Sequence, residues 1–171
     1  MQELFFRIQE MKKLYGTVFA PLLARSGSTQ AEMNVLLFLA NNPAYDTARD
    51  ITERRHMAKS QVSVSVEALV ERGLLERFYR PGNRKTIHLR PTPAARPLVE
   101  EGRRLQNRFG ALLIAGFSRQ EILRMASLIR RMQKNIDTAL TAEKQGEALG
   151  QKALEQTEEW VASLRLGEEP E

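Results

Sequence analysis

Ser60, Gln61 and Val64 stand within little more than one helical turn of each other and offer three kinds of contact. The Gln61 amide both donates and accepts, which suits the exposed edge of adenine. Ser60 can serve a base edge or a phosphate. Val64 is wasted if it faces water, but its methyl groups can lie against the methyl of thymine. Lys59 and the free N–H groups of a helical first turn favour an anion at the same end. Downstream, Arg84 and Lys85 follow Arg80-Pro81-Gly82-Asn83, a turn that holds two cations away from the protein body. This is chemistry for recognising a polyanion and its base edges.

A polar helix face is usually just solvated, and a basic turn is common by itself. Their succession carries the reading: helix, Gly73, strand, basic turn and strand follow one another within residues 59–89. Those are the two halves of a winged helix-turn-helix. Glu67 and Glu71 occupy the outer side of the same helix further along, where they would repel phosphate. The N-terminal end must therefore be the part that docks.

The elements that position these residues follow from hydrophobic period and capping. In residues 4–23, Leu4, Ile8, Met11, Tyr15, Val18 and Leu22 recur at steps of four and three. This stripe suits packing inside its own domain or across a dimer, and Pro21 is expected to bend or loosen its last turn. Thr29 with Glu32 forms a capping box for a second helix, with Met33, Leu36, Leu37 and Ala40 buried and Asn41-Asn42-Pro43 as its stop. Thr47 and Asp50 open a short third helix anchored by Ile51. The fourth, residues 59–72, buries Val62, Val66, Leu69 and Val70 and ends at Gly73. Residues 74–80 and 85–89 read as strands joined by a type II turn, with Gly82 taking positive φ. Pro91, Pro93 and Pro97 lead to a fifth helix over 98–115, which Gly116 breaks. Ser118 and Glu121 cap a sixth, with Ile122, Met125, Leu128, Ile129, Met132 and Ile136 as its apolar set. Beyond residue 143 the chain turns acidic, and Leu149, Ala153, Trp160 and Leu164 suggest a peripheral helix.

The net charge of +5 is unevenly spread. Residues 47–97 hold eleven basic and five acidic side chains, whereas residues 1–46 are neutral and 143–171 carry a net charge of −5. Positive charge thus collects around the helix and hairpin, the footprint of a phosphate-binding face. The absence of cysteine excludes disulfides, thiolate nucleophiles and cysteine zinc sites. His56 and His88 are the only histidines and lack ligand-like spacing, so hydrogen bonding is the expected role of both and no metal or cofactor is expected. Neither a nucleophile–base–acid set nor a glycine-rich phosphate loop stands out, which argues against an enzyme. With no apolar run of about 20 residues and no signal-peptide pattern, a cytoplasmic location without membrane contact is expected.

Over about residues 4–136 the chain resembles the MarR family of bacterial transcriptional regulators. The likeness is best where KSQVSVSVEALVERGLLER resembles the family's fourth helix and NRKTIHL its wing, with Thr92-Pro93-Ala94 similar to the wing's exit. It implies a mainly α fold with a small β-hairpin wing. Residues 1–28 would be an N-terminal dimerisation helix, 29–96 the winged helix-turn-helix DNA-binding domain and 97–142 C-terminal dimerisation helices, while the acidic extension 143–171 exceeds the family's usual length. It further implies that Lys59, Ser60, Gln61, Ser63 and Val64 face the major groove or flanking phosphates, with Arg84, supported by Lys85, in the minor groove. A homodimer would read a near-palindromic operator in double-stranded DNA, its half-sites about 34 Å apart. Repression released by a small aromatic or amphipathic ligand is the implied output. The chain departs from the family in Val64, where arginine is frequent, in Asn83, where an acidic residue often precedes the wing arginine, and in Arg55 and His56. Two rival readings stand beside this one. One is a winged-helix protein-interaction module using Glu67 and Glu71; the other is a small-molecule-binding protein without operator binding.

Overall fold

Thr29 opens the most deeply buried helix among the described residues. In a computed structural model describing residues 2–145, its hydroxyl accepts from the Glu32 N–H while the Glu32 carboxylate accepts from the Thr29 N–H. The helix that follows, α2 (Gln30–Asn41), meets α1 (Gln2–Ser26), α3 (Ala48–Arg55), α4 (Lys59–Glu71), α5 (Arg96–Leu113) and strand β2 (Asn83–Pro91). Surrounded on so many sides, it buries Val35, Phe38 and Leu39 as well as the expected Met33, Leu36 and Leu37. A helix apolar all round belongs in a core. Ala40, expected inside, is only half-buried.

Thr47 and Asp50 form the same reciprocal cap on α3, whose Ile51 is fully buried. His56 ends α3 in the left-handed region at φ 51°. Its side chain makes no hydrogen bond among the described residues, so the expected hydrogen-bonding role is not found, and its part is a backbone one. The end of α4 is a Schellman motif. Gly73, at φ 67°, donates to the Val70 carbonyl and Leu74 to that of Leu69. Arg72 fastens this end to the α1–α2 junction through the Ser26 carbonyl, the Ser28 hydroxyl and the Glu32 carboxylate.

Strand β1 (Leu75–Arg80) pairs antiparallel with β2, placing Phe78 opposite His88 and Arg80 opposite Asn83, with an irregularity between Phe78 and Arg80. Gly82 takes φ 77° between them, as the expected turn requires. β2 extends two residues past each expected end. At the hairpin's base the Thr92 hydroxyl donates to the Gly73 carbonyl and the Thr92 N–H to that of Leu74. A 3₁₀ turn (Pro93–Ala95) then leads into α5, whose Pro97 lies in the first turn, where no N–H is needed.

α1 runs through Pro21 to Ser26. Its C-terminal half is anchored by Phe19 and Leu22, with Tyr15 stacked on Phe19 and meeting Phe109 of α5 edge-on. In its N-terminal half Phe6, Ile8, Met11 and Leu14 are exposed. The chain divides into two units, 1–115 and 116–171. In the second, Ser118 and Glu121 form the expected box at the start of α6 (Arg119–Gln145). Of its apolar set, Ile122 and Met125 are half-buried, while Leu128, Ile129, Met132 and Ile136 are exposed. The stretch of the expected acidic extension beyond residue 145, Trp160 included, lies outside the described residues. No helix among those described is long and apolar enough to cross a membrane.

α5 approaches α2 tightly at Gly102, where an added Cβ would stand 2.9 Å from a methyl of Leu37. Gly102→Leu gains about 0.8 kcal/mol of helix propensity but overpacks a filled site at about 1–3 kcal/mol. A lower urea midpoint at unchanged slope is expected; an equal or higher midpoint would mean that the crossing is loose.

Candidate nucleic-acid interface

Burial of Val62, Val66 and Leu69 decides how α4 is turned. With that stripe inside, Lys59, Ser60, Gln61, Ser63 and Val64 are all exposed on its first turns, and Val64 is 71% exposed. Val70, expected on the buried face, is half-buried, and Ser65 is buried in addition. The residue before the helix is Ala58, which makes no side-chain cap, whereas α2, α3 and α6 begin at threonine or serine caps. With no acidic residue in the first turn either, the positive end of the α4 dipole is open to an anion.

Arg84 and Lys85 lie one and two residues beyond Asn83 at the hairpin tip, and both are exposed. Asn83 shapes that tip. Its Oδ1 accepts from the Lys85 and Thr86 N–H groups at 3.0 and 3.2 Å, and its amide donates to the Thr86 hydroxyl. In sequence Asn83 stands out only as a missing carboxylate; in the fold it makes an Asx turn.

The charge count overstates the free cation. Of the eleven basic residues in 47–97, Arg49, Arg72, Arg77, Arg80 and Arg90 are ion-paired, and Arg54 lies 3.4 Å over the Tyr45 ring. Among the described residues Arg55, Lys59, Arg84, Lys85 and Arg96 have no such partner. Arg55, exposed at the end of α3 four residues before Lys59, joins the candidate set; in sequence it stands out only as a departure from the family pattern. Glu67 is paired with Arg77 of β1, which partly neutralises it and ties α4 to the hairpin.

Asp46, between α2 and α3, links the hairpin to the helical body. Its Oδ1 lies 2.6 Å from His88 Nδ1, its Oδ2 accepts from Arg80 at 2.9 Å, and its carbonyl accepts from the Leu89 N–H at 2.7 Å. Facing a carboxylate, Nδ1 carries the ring hydrogen; Nε2 is buried without a hydrogen bond. Phe78 stacks on His88, and Arg90 lies over Phe78. Burial pushes the Asp46 carboxyl upward, but the hydrogen bonds from His88 and Arg80 outweigh it and hold the group below the ordinary aspartate range.

Lys59 and Ser63 also border a cleft of about 480 Å³ between α3, α4 and the hairpin, with Val62, Val66, Arg77 and Ile87 among its walls.

An exposed helix edge beside a basic two-stranded hairpin, on a helical body, defines a winged helix-turn-helix domain. The MarR-family profile matches residues 26–83. The HTH-type transcriptional regulator YdgJ of Bacillus subtilis is 22% identical over 135 residues, covering 79% of this chain and 80% of that protein. Among solved structures, a MarR-family regulator from Listeria monocytogenes, complexed with a 26mer DNA, superposes with a TM-score of 0.67 at 16% identity, covering 86% of this chain and 95% of that one. BpsR of Bordetella bronchiseptica, whose DNA binding is regulated by 6-hydroxynicotinic acid, gives 0.61 at 21% identity, covering 77% and 98%. Residues 26–83, from the end of α1 to the hairpin tip, are thus similar to the MarR family, and the solved structures share the fold.

A carboxylate with a depressed folded-state pKa stabilises the fold above its unfolded pKa and loses that contribution as pH falls through the lowered one. Asp46→Asn is therefore expected to unfold at lower urea than the parent at pH 7, and the two midpoints to approach each other only as the pH falls through the lowered Asp46 pKa, below the ordinary aspartate range. A gap that is constant with pH would remove the Asp46 ion pairs from the stability of the fold.

Proposed function

We propose that the protein is a homodimeric, sequence-specific regulator of transcription that binds double-stranded DNA and acts as a repressor. One observation carries this reading: Ser60, Gln61 and Val64 project from an uncapped helix start, flanked by unpaired Lys59, Arg84 and Lys85. Lys59 and the first-turn N–H groups take phosphate and fix register; Gln61, Ser60 and Val64 read base edges in the major groove. Ser63, one turn beyond Lys59, contacts the flanking backbone. Arg84 enters the neighbouring minor groove with Lys85 beside it. The Listeria monocytogenes relative, solved with DNA, supports the same use of the fold here.

The dimer follows from apolar surface. Phe6, Ile8 and Met11 of α1 and, separately, Leu128, Met132 and Ile136 of α6 are exposed, and stripes of that kind are covered in a stable assembly. Two reading helices related by a two-fold axis would meet half-sites about 34 Å apart on a near-palindrome. The 480 Å³ cleft between α3, α4 and the hairpin supports a response to a small amphipathic or aromatic ligand, since a molecule seated there would wedge α4 away from the hairpin. The regulation of BpsR by 6-hydroxynicotinic acid makes aromatic acids the first compounds to try. Nothing in this function calls for catalysis, a metal or a cofactor.

Selection of bound fragments from genomic DNA supplies the operator, and anisotropy titrations then test the roles. Arg84→Ala is expected to weaken operator binding about tenfold and to flatten the dependence of log K on log salt by about one contact. Unchanged affinity at moderate salt would remove Arg84 from the interface. Gln61→Ala is expected to lower the preference for operator over random duplex by about 1–3 kcal/mol; an unaltered ratio rejects base reading by Gln61.

A further inference from the structure

We propose that Asp46 is a positioning residue for the wing: it holds both strands of the hairpin from the α2–α3 connection, so that Arg84 meets DNA at a fixed place beside α4. The inference rests on the DNA-binding function proposed above and adds a residue that touches no DNA.

The hairpin needs such a hold. Among the described residues its sheet has only β1 and β2, and a two-stranded ribbon is marginal without outside support. The strand ladder is itself irregular between Phe78 and Arg80, just where the tip begins. Asp46 acts on both sides of that weak point. Its Oδ2 holds Arg80, the last residue of β1, two residues before Gly82, while its Oδ1 and carbonyl hold His88 and Leu89 of β2. Arg80 and His88 thus frame the tip that carries Arg84 and Lys85.

The hold is also directional. His88 is 7% exposed and stacked on Phe78, so breaking the carboxylate bond in place would leave its Nδ1 buried without a partner. Arg80 is half exposed, so losing its bond frees the tip without opening the core. Both links depend on one side chain, placed directly before the Thr47 cap of α3. Asp46 therefore ties the wing to the segment that supports α4, and the two DNA-reading parts share one reference frame.

The test uses the intact protein and three single variants, Asp46→Asn, Arg80→Gln and Arg84→Ala, with the Asp46→Asn/Arg84→Ala double variant. With thermal midpoints recorded to verify folding, tryptic cleavage after Arg84 and Lys85 is followed by mass spectrometry. Asp46→Asn and Arg80→Gln are expected to speed it at least about threefold relative to other sites. Operator affinity is then measured in a double-mutant cycle. Asp46→Asn is expected to cost about tenfold when Arg84 is present and less than about twofold in the Arg84→Ala background, because its effect passes through the wing. Equal losses in the two backgrounds, or unchanged cleavage in both Asp46→Asn and Arg80→Gln, overturn the proposal. Should Asp46→Asn fail to fold, Arg80→Gln takes its place in the cycle. A parent protein that binds no selected duplex defeats the DNA-binding reading instead, and the cleavage comparison still decides whether Asp46 holds the wing.

Discussion

The buried stripe of α4 is the constraint on which the rest of the structure depends. Val62, Val66 and Leu69 each bring apolar area out of water, at about 25 cal/mol per Å². They can do so only if the helix presents one face to α2 and α3. Once that face is chosen, the helical period leaves Ser60, Gln61 and Val64 outward with no further specification. The exposed edge proposed to read DNA is a by-product of this core packing. The Schellman turn at Gly73 and the Arg72 contacts fix the other end of the helix, so the edge neither rotates nor slides easily.

The hairpin solves a different problem. It must project cations into solvent, where apolar burial cannot hold it. Polar links hold it instead: Thr92 at the base, Glu67 with Arg77 along the side, Asp46 with His88 and Arg80 above, and Asn83 at the tip. Only the Asp46 group is well removed from water, so only there do the hydrogen bonds act at reduced dielectric. Exposed pairs such as Arg90 with Glu76 contribute little by themselves.

Much of this architecture was legible in the chain because its signals are local. Each capping box spans four residues, so Thr29, Thr47 and Ser118 announced the starts of their helices without any knowledge of what packs there. The Pro81-Gly82 turn and the Gly73 stop are equally short-range. Long-range partnerships left no such trace. The burial of Val35, Phe38 and Leu39 depends on elements that surround α2 in space, and a single-face reading of the helix could not include them. The pairing of Asp46 with His88 joins residues 42 apart, so neither residue advertised the other. The charge count failed for a related reason: summing over a segment cannot tell a cation that meets solvent from one bound to a carboxylate across the fold.

Ala58 has a wider consequence. A serine or threonine before a helix typically contributes about 1 kcal/mol over alanine, yet α4 starts at an alanine and goes without one. Filling that position would make a sturdier protein whose own hydroxyl competed with an incoming phosphate for the same N–H groups. If the proposed DNA contacts hold, consensus-style stabilisation at this position would trade away affinity, and thermal robustness and operator occupancy would move in opposite directions.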